Sequence, residues 1–133
     1  MILVDTAALY ALIDAADPNN RRASAAMRDL QNSGESLLTH EYVVVETTAL
    51  LQRRLGLGAV RRLVDDLLPL LEIAWVDEPL HAEAREAMLA AGRRTVSLVD
   101  WVSFLVMRRH GVRRAFTFDQ DFALEGFEVL PAP

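Results

Sequence analysis

Short all-apolar runs alternate along the chain with longer stretches in which apolar positions recur every three or four residues, the pattern of strands followed by amphipathic helices. Residues 1–4 predict a first strand. Asp5 and Thr6 end it and open a helix over 7–13. The turn Asp17-Pro18-Asn19 starts a second helix, 20–31, with Ala23, Met27 and Leu30 on one face and Asn32-Ser33-Gly34 at its close. Residues 36–39 predict a short strand. Residues 41–55 predict a helix ended by Gly56, their length outweighing the strand-like Val43-Val44-Val45 triplet. A helix over 57–68 stops at Pro69, a strand follows over 72–76, and Asp77-Glu78-Pro79 starts a helix over 81–91 ended by Gly92. Residues 97–110 are helical and apolar nearly all round, which places that helix in the middle of the fold, with Gly111 as its stop. Strands over 114–118 and 127–130 complete the series. Alternating strands and helices predict an α/β fold, three-layered as α/β/α, with a mostly parallel central sheet.

Length and composition narrow this further. The 133 residues contain no linker-like stretch and no internal repeat, so one domain spanning 1–133 is expected. The hydrophobic content of 52% and mean hydropathy of +0.15 leave apolar surface for a partner, either a second copy or a cognate binding protein. The absence of cysteine excludes disulfides, thiolate zinc sites and cysteine nucleophiles. Residues 1–4 reach Asp5 too early for a signal peptide and no uncharged apolar run approaches a membrane span, so a soluble cytoplasmic protein is expected.

All fourteen basic residues other than histidine are arginine, which disfavours a P-loop NTPase or a phosphoacceptor receiver domain, both of which use a lysine. Twelve of the arginines stand in adjacent pairs. A GC-rich coding sequence produces that usage, and so does a need for bidentate phosphate contacts. The net charge of -5 argues against loose polyanion binding, although an acid pocket ringed by arginines gives the same sum and still accepts a phosphate backbone.

The acids carry the chemistry. In open parallel sheets the active crevice lies beyond the carboxyl ends of the strands, and Asp5 and Asp119 each follow a predicted strand. Either one alone reads equally as a helix cap or a turn residue. Glu46 and Asp100 are lone acids inside apolar helical stretches, costly to bury unpaired, and the nearest arginines stand some two turns away on their own helices. Four such carboxylates form a hard oxygen site suited to Mg²⁺ or Mn²⁺, and the matching chemistry is phosphodiester hydrolysis. Thr117 and Ser97 stand near an acid in sequence, where each either orients a ligand or caps a backbone group.

These residues resemble the PIN domain, and within it the VapC-type toxins of toxin–antitoxin pairs, over nearly the whole chain. The resemblance is carried by Leu3-Val4-Asp5-Thr6, by Glu41-Tyr42-Val43-Val44-Val45-Glu46, by Ser97-Leu98-Val99-Asp100-Trp101-Val102-Ser103-Phe104, and by Gly111, Ala115-Phe116-Thr117-Phe118-Asp119-Gln120-Asp121-Phe122 and Gly126-Phe127. It implies a Mg²⁺- or Mn²⁺-dependent endoribonuclease that cuts a structured RNA such as transfer or ribosomal RNA, pairs as a homodimer and is blocked by a small antitoxin. Asp5, Glu46, Asp100 and Asp119 would be the metal ligands, with Thr117 and Asp121 in support. Ala7 departs from the pattern, since many members carry a small polar residue there.

Other readings remain open. A haloacid-dehalogenase-type phosphatase needs a second acid two residues after the first, where this chain has Ala7. A DNA or structure-specific nuclease would keep the same metal site, and a non-catalytic interaction module would use the acids to bind a partner's arginine. His40, His81 and His110 read as capping or exposed residues, and Trp75 and Trp101 as core or dimer interface. Arg108, Arg109, Arg113 and Arg114 flank the segment from Asp100 to Asp119 and are the expected RNA contacts.

Overall fold

The first strand lies between two hydrophobic clusters, and the alternation of its side chains contributes to both. Ile2 and Val4 point to one face of the sheet and Leu3 to the other, the two-residue period of a strand buried on both sides. In the computed structural model, which describes residues 1–133, five strands form one sheet: β1 (Ile2–Val4), β2 (Leu37–His40), β3 (Leu71–Ala74), β4 (Arg114–Phe116) and β5 (Glu128–Leu130). Their order is β3-β2-β1-β4-β5 and every pairing is parallel.

Helices α1 (Thr6–Ile13), α2 (Asn20–Asn32), α3 (Glu41–Leu55) and α4 (Leu57–Arg62) contribute to the cluster on the Ile2 face. Helices α5 (Glu78–Ala91), α6 (Leu98–His110) and the four-residue α7 (Asp121–Leu124) contribute to the cluster on the Leu3 face. This is the expected three-layer α/β/α arrangement, with a sheet that is wholly rather than mostly parallel.

The boundaries differ from expectation where backbone donors run out. The helix expected over 57–68 is α-helical only to Arg62; a π-helical turn, Leu63–Leu67, and a 3₁₀ turn, Leu68–Leu70, follow, because Pro69 cannot donate to a continuing helix. Helix α5 begins at Glu78 rather than 81, as the Asp77 carboxylate accepts from the Leu80 amide at 3.0 Å. Strand β4 ends at Phe116, and Thr117 begins the turn that carries Asp119.

Helix α6 is central as expected, burying Trp101, Val102, Ser103, Phe104, Val106 and Met107. It ends at Gly111, whose φ of 66° is the left-handed conformation that a side chain disfavours. No helix is long and apolar enough to cross a membrane.

Candidate active site

All five strands point the same way, so whatever follows β1 and β4 meets at one edge of the sheet. Asp5 follows β1 and Asp119 lies three residues beyond β4; the Asp5 amide donates to the Phe116 carbonyl at 3.0 Å, carrying the strand pairing up to the acid. Helix α3 starts directly from β2 and brings Glu46 to the same edge, and the first turn of α6 brings Asp100. Asp5, Glu46, Asp100 and Asp119 line one open cleft of about 370 Å³ together with Thr6, Ala7, Tyr10, Asp17, Asn19, Leu50, Arg54 and Ser97.

Hydrogen bonds fix three of the acids. The Thr117 hydroxyl, fully buried, donates to Asp5 Oδ2 at 2.8 Å and accepts from the Asp119 amide at 3.0 Å, so one side chain ties together the acids from two neighbouring strands. Asp119 Oδ1 accepts from the Asp121 amide at 2.9 Å. Ser97 and Asp100 form a reciprocal capping box: the Asp100 amide donates to Ser97 Oγ at 3.2 Å, and the Ser97 amide donates to Asp100 Oδ2 at 2.9 Å. Of the two roles open to Ser97 and Thr117, Ser97 therefore caps a helix, whereas Thr117 braces the acids.

The charges are held at a cost. Burial pushes the Asp5 carboxyl up to about 7, opposed by the Thr117 hydrogen bond and reinforced by the Asp100 and Asp119 anions. Burial likewise pushes Asp100 up to about 6, with Asp119 and Glu46 adding like charge. Asp119 is raised in the same direction, first by burial. Asp5 is the deeply buried acid, at 4% exposure, while Glu46 and Asp100 are only partly covered. The apolar flanks of Glu46 and Asp100 suggest deep burial for both, but such flanks on a helix do not report which side faces a cleft.

No three of the carboxylates close into a tight cage. An open wall of oxygen ligands is what a strongly hydrated divalent ion accepts, since Mg²⁺ keeps several waters and takes few protein ligands directly. Neither sulfur nor imidazole lines the cleft, and two of its acids are disfavoured as anions by their surroundings, so the residues present fit a hard divalent cation.

The arginines lie elsewhere than expected. Strand β4 begins at Arg114 and ends toward the cleft, so Arg113 and Arg114 occupy the opposite edge of the sheet. Helix α6 starts at the cleft, and Arg108 and Arg109 stand at its far end, about 12 Å or more further along its axis than Asp100. Arg108 pairs with Glu125 at 2.7 Å, Arg109 with Glu83, and Arg114 with Glu35. The four are thus not brought to the acids. Asp121 faces Arg93 at 2.7 Å, donates its amide to Asp119 and adds like charge beside that acid.

Arg54, two turns beyond Glu46 on α3, does line the cleft; Glu46, Leu50 and Arg54 recur every four residues, which was the available signal. Thr6 lines it as well, with a buried hydroxyl that has no partner, one position before the departure at Ala7.

The histidines are structural. His40 is fully buried rather than exposed or capping, its Nε2 lies 2.8 Å from Ser103 Oγ, and burial lowers it to about 4. His81 Nδ1 lies 2.7 Å from the Tyr42 hydroxyl, and His110 Nδ1 lies 2.9 Å from the Val106 carbonyl. Trp101 is core, and Trp75 is 73% exposed.

Comparison with known proteins agrees with this geometry. The family model described as PIN domain matches residues 2–126. The chain is 36% identical over 133 residues to the 23S rRNA-specific endonuclease VapC20 of Mycobacterium tuberculosis, an alignment covering 98% of this chain and 99% of that protein. The crystal structure of VapC20, described as a sarcin-ricin loop cleaving toxin, superposes with a TM-score of 0.83 at 33% identity and covers 96% of each chain. The structure of FitAcB from Neisseria gonorrhoeae gives a TM-score of 0.70 at 22% identity, covering 97% of this chain and 96% of that one, a likeness of fold.

Proposed function

Since this chain belongs to the PIN-domain family, we propose that it is a divalent-metal-dependent endoribonuclease whose target is 23S ribosomal RNA at the sarcin–ricin loop, the substrate named for its relative VapC20. The observation that carries the reading is the convergence of four carboxylates, each from a different element, on one cleft where Asp5 and Asp100 are unfavourable as anions until a cation faces them.

Asp5, Glu46, Asp100 and Asp119 are the groups that would hold Mg²⁺ or Mn²⁺. When bound, such an ion supplies charge stabilisation at the scissile phosphate and a water of lowered pKa. The chain's own part is to aim the ligands. Thr117 fixes the Asp5 carboxylate and, through its bond from the Asp119 amide, the turn carrying the second acid. The capping box holds Asp100 at the start of a helix whose body is locked in the core. Glu46, partly covered like Asp100 and Asp119, lines the cleft from α3 and is open to a water or substrate oxygen.

The partners belong to the same reading. A cognate VapB-type antitoxin would cover the acid cleft. Pairing of two copies would bury apolar residues such as Trp75 and Val45, exposed by 73% and 66%.

The test is incubation of total cellular RNA and of a sarcin–ricin stem–loop with purified protein in Mg²⁺, Mn²⁺ or EDTA, beside Asp5→Asn and Asp100→Asn. Discrete fragments that disappear with EDTA and in both variants are expected. Cleavage that persists in EDTA would remove the metal from the account, and nicking of DNA in place of RNA would correct the substrate.

A further inference from the structure

Five carboxylates line the cleft, Asp17 among them, and Arg54 is the single basic residue that joins them. Even with a divalent ion bound, so many acids leave the wall unfavourable to a polyanion, and the sequence-expected arginines stand at the other end of the molecule. The approach of a phosphate backbone therefore depends on a cation at the cleft itself.

Arg54 has the attributes of that cation. Its guanidinium forms no ion pair, although Glu46 lies on the same helix eight residues earlier. It is held instead over the face of Tyr10, with its central carbon 5.3 Å from the ring centroid, and the Tyr10 hydroxyl is anchored on Asp14 Oδ2 at 2.8 Å. Tyr10 is thus its neighbour in the cleft, and no carboxylate pairs with its N–H groups. The side chain is exposed, and it is displaced from Glu46 by about 12 Å along the α3 axis.

We propose that Arg54 is the substrate-binding arginine of the cleft, gripping through its N–H fork an RNA phosphate that flanks the scissile one. The inference rests on the ribonuclease reading and adds to it the path of the strand, which runs from the acids along the Glu46–Leu50–Arg54 stripe of α3. A planar fork suits a phosphate better than a point charge does, so lysine would replace arginine only in part.

Two readouts on one set of proteins separate this inference from the reading beneath it. The first is binding of a sarcin–ricin stem–loop RNA by fluorescence anisotropy in Ca²⁺ over a range of salt, for wild type, Arg54→Gln and Arg54→Lys. The second is steady-state cleavage of the same RNA in Mn²⁺. For Arg54→Gln the expected result is binding weaker by roughly ten- to a hundredfold, the loss of one charged hydrogen-bonded contact, with a salt slope reduced by about 0.7. KM should rise, the Mn²⁺ concentration for half-maximal rate should not move, and Arg54→Lys should recover part of the affinity. Unchanged binding and salt slope in Arg54→Gln overturn the proposal even if wild type cleaves. A shift in Mn²⁺ requirement without a change in RNA binding also overturns it, making Arg54 a counter-charge to the acids. Weaker binding in Arg54→Gln with no cleavage by any of the proteins supports the arginine and removes the ribonuclease reading.

Discussion

Asp5 shows how one residue can be both a liability and a tool. It is buried, held by Thr117 and surrounded by like charge, so its folded-state proton affinity is far above that of a free aspartate, with a pKa near 7 against 3.8. The sign of the consequence follows from linkage. A carboxyl raised in the folded state contributes stability that is fully present below its unfolded pKa and is lost as pH rises through its folded pKa. Asp100 acts the same way through about 6. His40, lowered to about 4 from 6.5, works oppositely, but its contribution is fully present above 6.5. Between pH 6.5 and 8 the acids alone decide, and the melting temperature of EDTA-treated protein should fall across that interval. The slope should flatten in Asp5→Asn. A melting temperature that rises, or an equal slope in the variant, would show that Asp5 is ionised at no cost. Added Mn²⁺ should diminish the fall, because the ion takes over the anion.

At the level of elements, the helix starts and strand cores were legible and the orientation of side chains was not. The capping sequences at Ser97 and Asp77 and the glycine stops at Gly92 and Gly111 act locally, so three or four residues suffice to read them. The α7 helix was missed because its four residues complete no periodic pattern. The irregular turns after Arg62 reflect competition among backbone donors that the apolar pattern does not record. Arg108, Arg109, Arg113 and Arg114 are instructive: they flank the segment from Asp100 to Asp119 in sequence but not the acids in space. In a parallel sheet the start of β4 and the end of α6 must lie at the edge opposite the acids. The capping box gives a prediction at this scale. Ser97→Ala should destabilise the protein by about 1 kcal/mol in urea unfolding by leaving the Asp100 amide without its Ser97 Oγ acceptor, while the backbone amide of residue 97 still donates to Asp100 Oδ2 and the fold stays intact by circular dichroism. No change in the urea midpoint would mean that the core grip of α6 positions Asp100 without the cap.

For the whole molecule, topology and charge divide the work. A parallel sheet buried on both faces gathers chain ends from β1, β2 and β4 at one edge, so acids far apart in sequence share a cleft without any local metal motif. The meeting of Asp5 and Asp119 at one edge follows from a parallel sheet and was legible in the sequence, whereas the depth of each acid and the position of Arg54 depend on how the helices pack. The net charge of -5 is likewise explained in part by a wall of acids that a cation is expected to neutralise. Titration calorimetry of Mn²⁺ into the metal-free protein at pH 7, repeated in buffers of different ionisation enthalpy, bears most directly on this. Saturable binding is predicted with net proton release, chiefly from Asp5, whose carboxyl at about 7 is half protonated at that pH, and both the binding and the release should be lost in Asp5→Asn. Absence of saturable binding, or binding that Asp5→Asn leaves unchanged, would contradict the assignment of this cleft as a divalent-metal site.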